Sequence, residues 1–321
     1  MQNYNYVQKL LHDFVLKSKL INKSLFELEK MIYLKKINIS NYSHIFITGL
    51  PRSGTTILLN YIYSSKMFAS LKYLNMPFVF SPNISKIFVN NKNIKKKQRL
   101  HNDGIDYDLY SPEAFDEIFL SLDNEFIKNE LCNYIKLILL SENKQRYLSK
   151  NNGNYKRISL ISSIIPNSIF LIPIRDPLQH AYSLLNQHLH FSKLQEEDDF
   201  IKRYMGYLGH YEFGLNHKSW NKPVNFFDKK NINYWLEQWL LFYLNILNKY
   251  RNAENCFFIL YENLSTFKTV KNLANKINID ENIPTHTVFK NLNKKQIFVE
   301  YDSKIYNEAY KIYNNYKNTS I

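Results

Sequence analysis

The stretch "HIFITGLPRSGTTILLNYIYSS", residues 44–65, contains the turn that decides the fold. An apolar run ends at Thr48, two glycines at positions 49 and 54 enclose four residues, and apolar side chains then recur at helical spacing. This order predicts a buried strand, a glycine loop and a helix. Backbone N–H groups of such a loop converge on an anion, and the helix adds its N-terminal partial positive charge. The stretch therefore predicts a phosphate-binding loop.

The residue after the second glycine separates two kinds of phosphate loop. Loops that bind nucleoside triphosphates have a lysine there, whereas this chain has Thr55. Thr55 and Thr56 supply hydroxyl donors, and Arg52 supplies a cationic fork. This set of donors suits one compact tetrahedral anion better than a triphosphate with Mg²⁺. The alternative interpretation is a plain glycine turn between a strand and a helix.

A second phosphate signal lies in "FLIPIRDPLQHAYSLLNQH", residues 170–188. Arg175 leaves the end of an apolar strand, and Ser183 follows eight residues later, two turns into the next helix. The carboxyl edge of parallel strands is where such sheets bind ligands. Arg175 and Ser183 are therefore candidates to share another phosphate, and the alternative is a helix cap with a core serine.

The rest of the chain alternates between strand and helix patterns. The other predicted strands cover 69–74, 146–150, 168–174 and 255–264. "SPEAFDEIFLSL" predicts a helix capped by Ser111, with Pro112 at its first position. The alternation predicts an α/β fold of three layers, with a central parallel sheet and additional helices. We expect one domain over 1–321, with an N-terminal helix over 4–36 and insertions at 83–145 and 190–233.

Composition limits the class of protein and its partners. The 321 residues are 45% hydrophobic, enough for a substantial core, and carry a formal net charge of +14. That charge suits an anionic ligand, nucleic acid or an anionic membrane face, although the lysines are dispersed among asparagines. Two distant cysteines give no disulfide framework or zinc site. With no apolar run of ~20 residues and no signal peptide pattern, we predict a cytoplasmic protein without a transmembrane segment.

Together the two motifs resemble the sulfotransferase family that uses 3′-phosphoadenosine 5′-phosphosulfate (PAPS), particularly bacterial members with PRSGTT. "PRSGTT" at 51–56 matches the loop of that family, and Arg175 with Ser183 matches its second motif. The resemblance implies a P-loop-like fold and sulfuryl transfer from PAPS to a hydroxyl or amine. The acceptor remains open among small molecules, glycans, lipids and peptides.

The resemblance also implies which residues hold PAPS. By this resemblance, the 5′-phosphosulfate is bound by six residues of the loop: Gly49, Arg52, Ser53, Gly54, Thr55 and Thr56. Arg175 and Ser183 then hold the 3′-phosphate, and Lys150, at the end of a predicted strand, assists. Because PAPS has neither β- nor γ-phosphates, the missing lysine is explained and no metal is needed. Arg52 is expected to stabilise charge on the bridging and 5′-phosphate oxygens.

The chain departs from the family in two places, one in a triplet that helps cytosolic members hold the 3′-phosphate and one that leaves the catalytic base open. There is no Arg-Lys-Gly triplet near the C-terminus, and "FASLKYLNMPFVF" (68–80) lacks the carboxylate that several members have there. We place the base within 101–117, with His101 ahead of Glu117. Asp103 is expected to orient His101, and Glu117 to lie one helical turn below Glu113.

Other readings of the sequence are weaker. His188 and His190 suggest a metal site but have no third ligand at a regular spacing, so we predict no metal. His210 and Glu212 are candidates for the acceptor pocket or a second base pair. A P-loop kinase or NTPase would need a strand ending in an aspartate for Mg²⁺. A nucleic-acid-binding protein would need a segregated basic stripe, so we expect no nucleic-acid partner.

Overall fold

A five-stranded sheet, in which all neighbouring strands are parallel, forms the centre of the structure. The computed structural model describes residues 6–35, 38–88, 96–280, 296–317 and 320–321. The strands are β1 His44–Ile47, β2 Phe68–Ala69, β3 Lys97–Gln98, β4 Asp106–Tyr107, β5 Arg146–Lys150, β6 Ser168–Ile174 and β7 Cys256–Leu260. The sheet order is β2–β5–β1–β6–β7, while β3 and β4 form a separate antiparallel pair.

Helices follow most strands, as the predicted alternation requires. They are α1 Tyr6–Lys17, α2 Lys19–Tyr33, α3 Thr55–Ser64, α4 Glu117–Leu120, α5 Asn124–Glu142, α6 Ile158–Ile164, α7 Pro177–Glu197, α8 Asp199–Tyr207, α9 Ile232–Tyr250, α10 Phe267–Ile277 and α11 Ser303–Lys317. Within the described residues, no helix is both long and apolar enough to cross a bilayer.

The sheet separates two apolar clusters, because successive side chains of a strand point to opposite faces. On β1, Ile45 and Ile47 belong to one cluster with buried residues of α3 and α10. Phe46 belongs to the other cluster, which α5, α7, α9 and α11 complete. Helices therefore cover both faces, and the predicted three-layer α/β fold with a parallel sheet is confirmed. The carboxyl ends of β1, β5 and β6 meet at one edge.

The N-terminal helix predicted over 4–36 is two helices within the described residues. Ser18 has an extended backbone, and its Oγ accepts a hydrogen bond from the Ile21 N–H at 3.2 Å. Ser18 thus caps α2 and ends the continuous helix, because a capping serine favours a non-helical conformation of its own. Residues 4, 5 and 36 lie outside the described part of the chain.

The helix predicted to start at Ser111 begins at Glu117 instead. Pro112 pairs with Lys72 in an antiparallel bridge, and the Glu113 N–H donates to the Leu71 carbonyl at 3.0 Å. This extended pairing satisfies the backbone that the helix would have used. Glu113 and Glu117 consequently do not share a helix face.

The second strand also differs in detail from the prediction, and the predicted insertions stay predictions. Only Phe68 and Ala69 of the region around 69–74 pair in the sheet, and a short 3₁₀ turn follows. The stretch 83–145 includes α5, whose buried face packs against the sheet. The stretch 190–233 contains the end of α7 and all of α8. That 1–321 form one domain stays a prediction.

Candidate active site

The loop between β1 and α3 turns through left-handed backbone conformations. Gly49, Arg52 and Gly54 have φ angles of 147°, 70° and 102°. A Cβ at Gly54 would lie 2.7 Å from the Tyr261 ring, so only glycine fits there without displacement. Arg52 adopts its left-handed conformation at a cost of about 1–2 kcal/mol, and non-glycine residues in such regions cluster at functional sites.

Replacing Gly54 by alanine should lower the free energy of unfolding by about 1–3 kcal/mol, because backbone strain and a clash with Tyr261 act together. Gly104→Ala is the matched control: Gly104 has a φ of 73°, but an added Cβ would meet nothing within 4 Å. Chemical denaturation of both variants separates clash from strain. An equal loss of stability in the two would show that the Tyr261 contact is unimportant.

The side chains of the loop have different roles. The Ser53 hydroxyl is buried and donates to the Leu50 carbonyl at 2.7 Å, so it stabilises the turn itself. Thr55 Oγ1 is also buried and donates to Asn152 Oδ1 at 3.4 Å. Thr56 is partly buried in the first turn of α3. Arg52 is the loop residue that lines the adjoining cavity.

That cavity brings the two sequence motifs together. It has a volume of about 440 Å³, and its lining includes Arg52, Arg175, Ser183 and Tyr261. Arg52 Nε donates to Ser183 Oγ at 3.2 Å although the residues are 131 positions apart. Arg175 Nη1 donates to the Arg52 carbonyl at 3.3 Å, and its guanidinium lies 4.8 Å from the Tyr261 ring centroid. The cavity therefore joins the glycine loop to the start of α7.

The cavity already holds one carboxylate between arginines. Asp103, in the turn between β3 and β4, accepts from Arg52 Nη1 at 3.3 Å and Arg99 Nη1 at 3.5 Å. Burial lowers the pKa of Arg52, Asp103 opposes this, and Arg175 and Arg99 lower the pKa further. Arginine stays protonated in proteins, so three guanidinium groups, Arg52, Arg99 and Arg175, surround the single carboxylate of Asp103. An added anion is favoured there.

A second charged cluster lies at the end of β5. The Glu113 carboxylate accepts from Arg99 Nη2 at 2.8 Å, from Lys150 Nζ at 3.4 Å and from the Tyr73 hydroxyl at 3.1 Å. Burial alone would raise the pKa of Glu113, but Arg99 and Lys150 outweigh it and hold that pKa well below its usual range. Glu113 is thus ionised, and Lys150 leaves its strand facing this carboxylate.

His101, the first candidate for a base, lines the cavity and has its ring 5.2 Å from that of Phe191. Burial and the positive charge of Arg99 hold the pKa of His101 well below its usual range. The imidazole is therefore neutral at pH 7, as a base requires. The prediction that Asp103 orients His101 is wrong, because Asp103 instead accepts from Arg52, Arg99 and the Ile105 N–H.

Glu117, the second candidate, is held by a bidentate ion pair. Its Oε1 accepts from Arg157 Nη2 at 2.7 Å, and its Oε2 accepts from Arg157 Nη1 at 2.8 Å. Gly153 and Gly209 pack on it so closely that an added Cβ at either would lie 2.9 Å from Glu117 atoms. Action of Glu117 as a base would require this pair to open.

The other histidines have separate partners. His210 Nδ1 lies 3.3 Å from Glu212 Oε2, and although burial lowers the pKa of His210, Glu212 raises it above the usual value. His188 Nδ1 accepts from the Gly214 N–H, while His190 Nε2 donates to the Leu100 carbonyl. Within the described residues, no group of three His, Cys, Asp or Glu could hold a metal ion.

Sequence reasoning missed two residues that organise this region. Arg99 joins the two charged clusters, yet it lies in a lysine-rich stretch where no pattern marks it. Asp116 is buried and accepts from Tyr147, Asn151 and Ser149, which ties the start of α4 to β5. Burial raises the pKa of Asp116 to about 6. Its burial is a long-range property that the local sequence does not reveal.

A glycine loop, a following helix and an arginine-rich cavity at the carboxyl edge of a parallel sheet define a P-loop-like α/β protein. Residues 44–279 match the sulfotransferase family. The chain belongs to that family and is therefore a transferase by class.

Several solved structures of sulfotransferases are similar to this chain. A sulfotransferase from Mycobacterium tuberculosis H37Rv has a TM-score of 0.51 and 13% identity, covering 98% of this chain and 87% of its own. A sulfotransferase from Mycobacterium avium has a TM-score of 0.46 and 14% identity, with 95% and 82% covered. The sulfotransferase domain of the curacin biosynthetic pathway has a TM-score of 0.38 and 13% identity, with 86% and 98% covered. No curated protein matches the sequence.

Proposed function

We propose that this protein transfers a sulfuryl group from PAPS to a hydroxyl or amine acceptor. The observation that carries the proposal is the convergence of Arg52, Arg175 and Ser183 on one cavity. These residues come from two motifs that the sequence places far apart. Family membership supports the reaction class, and the arginines support an anionic donor.

The residues around the cavity suit a donor with two anionic groups. Arg52 and the backbone N–H groups of 49–56, with Thr55 and Thr56, would hold the 5′-phosphosulfate. Arg175 and Ser183 would hold the 3′-phosphate. The Arg52 guanidinium pairs with the Asp103 carboxylate. Oxygen atoms of the bound donor would take the place of that carboxylate. Lys150 would add positive charge once released from Glu113.

PAPS supplies a sulfuryl group whose S–O bond to the 5′-phosphate breaks as a new bond forms to the acceptor. Arg52 stabilises the charge that develops on the departing phosphate oxygens. Such stabilisation is usually the largest single contribution to the rate enhancement. The proton of the acceptor passes to a base, for which His101 is the first candidate and Glu117 the second. His101 is favoured because it lines the cavity as a neutral imidazole.

The remaining parts of the proposal concern conditions and partners. We propose action in the cytoplasm, as one domain, without a metal ion and without nucleic acid. Free Cys132 and Cys256 are consistent with a reducing compartment. The acceptor is a small molecule, glycan, lipid or peptide.

Arg175→Ala tests the donor assignment through the 3′-phosphate. Wild type should bind adenosine 3′,5′-bisphosphate more tightly than adenosine 5′-phosphate by about 10–100-fold, since a hydrogen bond to a charged group contributes about 1.5–3 kcal/mol. Arg175→Ala should remove most of that preference in calorimetric titrations.

The matched control is Arg203→Ala, because Arg203 pairs with Asp13 on an exposed surface. That variant should keep the wild-type preference for the bisphosphate. If Arg175→Ala discriminates between the two nucleotides as well as wild type, the 3′-phosphate site lies elsewhere.

A further inference from the structure

The outward face of α1 is apolar, in addition to the face that packs on the protein. His12, Val15 and Leu16 are buried, and the His12 ring contacts that of Tyr204 on α8. A surface helix ordinarily presents polar residues on its opposite side. On α1 that side instead carries five apolar residues, each 40% to 75% exposed: Tyr6, Val7, Leu10, Leu11 and Phe14.

The next helix also exposes apolar residues. On α2, Asn22, Phe26 and Glu29 face inward. Its outward apolar residues are 46% to 84% exposed: Leu20, Leu28, Met31 and Ile32. Isolated exposed apolar residues are ordinary, but nine on two consecutive helices mark a surface that contacts something. We call the five exposed apolar residues of α1 and the four of α2 together the N-terminal apolar surface.

The charges beside this surface are mainly positive. Lys17 is exposed and follows Leu10 and Phe14 by seven and three residues, so it lies on their face of α1. Lys19 is exposed at the start of α2. The acid of α1, Asp13, is paired with Arg203 at 3.3 Å.

On α2 the exposed acid Glu27 is also paired, with Lys30 Nζ at 2.8 Å. Lys35, just after the end of α2, is exposed. Asp13 and Glu27 thus each have a cationic partner, while Lys17, Lys19 and Lys35 are exposed.

We propose that the N-terminal apolar surface docks this protein on anionic lipid bilayers. Helices that combine an exposed apolar face with lysines lie in the membrane interface, with the apolar side chains among the acyl chains and the lysines at anionic headgroups. The lysines favour this partner over a second copy of the chain, because lysine is depleted from the core of protein interfaces. The inference does not depend on the proposed sulfuryl transfer.

Vesicle co-sedimentation of the full chain tests this docking. Wild type should bind mixed phosphatidylcholine–phosphatidylglycerol vesicles, bind phosphatidylcholine alone far less, and release as salt increases. Leu10→Glu with Phe14→Glu should lower binding by about tenfold or more. Lys17→Gln with Lys19→Gln should lower it by about fivefold per lysine on the anionic vesicles.

The matched control is Val224→Glu with Phe226→Glu, because these apolar side chains are also exposed but lie outside α1 and α2. This control should bind like wild type. Thermal unfolding and nucleotide binding should be unchanged in every variant, since the altered side chains are exposed. Equal vesicle binding by wild type and Leu10→Glu/Phe14→Glu overturns the proposal. So does a wild-type dimer in light scattering that this variant converts to a monomer, because a second copy would then cover the surface.

Discussion

Arg52→Ala is expected to lower the rate of sulfuryl transfer by about 10²–10³-fold, the usual cost of removing one preorganised donor to developing charge. The Arg52 guanidinium faces the cavity and contacts Ser183 and Asp103 there, so the fold should survive its removal. Release of adenosine 3′,5′-bisphosphate from PAPS, with an acceptor found by screening, measures the rate. Arg52→Lys should recover only part of it, because lysine keeps the charge but not the planar fork.

Arg203→Ala again serves as the control, since it removes an arginine from an exposed ion pair. Its turnover should match wild type. Wild-type turnover in a folded Arg52→Ala protein would show that Arg52 takes no part in the reaction. The role assigned to the glycine loop would then be contradicted as well.

His101→Ala should lower the rate by about 10²-fold, the usual contribution of a positioned base, with little change in donor affinity. The pH dependence of kcat/KM, which reports the free enzyme, identifies the group. A histidine base must be neutral, so the rate falls as pH drops through its pKa. Burial and Arg99 place the pKa of His101 below 6.5, so the acidic limb of wild type should lie below pH 6.5.

His210, the other histidine candidate, predicts an acidic limb on the other side of pH 6.5. Glu212 raises the pKa of His210 above 6.5, so a His210 base would give an acidic limb above pH 6.5. His190→Ala is the control within the cavity, because the His190 Nε2–H is committed to the Leu100 carbonyl. Full activity in His101→Ala with collapse in Glu117→Gln would assign the base to the carboxylate. Full activity in both would direct attention to His210 and Glu212.

The parts of the fold predicted from sequence were those with local signals. Two glycines between an apolar run and a helical pattern fix β1, the loop and α3. The run 168–174 matches β6 residue for residue, Arg175 follows it directly, and α7 starts at Pro177. Each signal acts over a few residues, where steric and capping preferences dominate.

The parts that sequence reasoning missed depend on long-range pairing. Ser111, Pro112 and Glu113 have the residue types of a helix start, but the backbone near Leu71 offered a competing partner. Asp103 was assigned to its neighbour His101, whereas folding brought Arg52 within reach, 51 residues away in the chain. The tertiary structure therefore decides which basic side chain each carboxylate contacts.

Calorimetric titration of wild type tests the central claim most directly. Three ligands are compared at one ionic strength: adenosine 3′,5′-bisphosphate, ATP with Mg²⁺, and single-stranded DNA. The convergence of Arg52, Arg175 and Ser183 predicts the tightest binding for the bisphosphate, unchanged by chelation of metal ions. Tighter binding of ATP–Mg²⁺ or of DNA than of the bisphosphate would contradict a PAPS-dependent sulfotransferase.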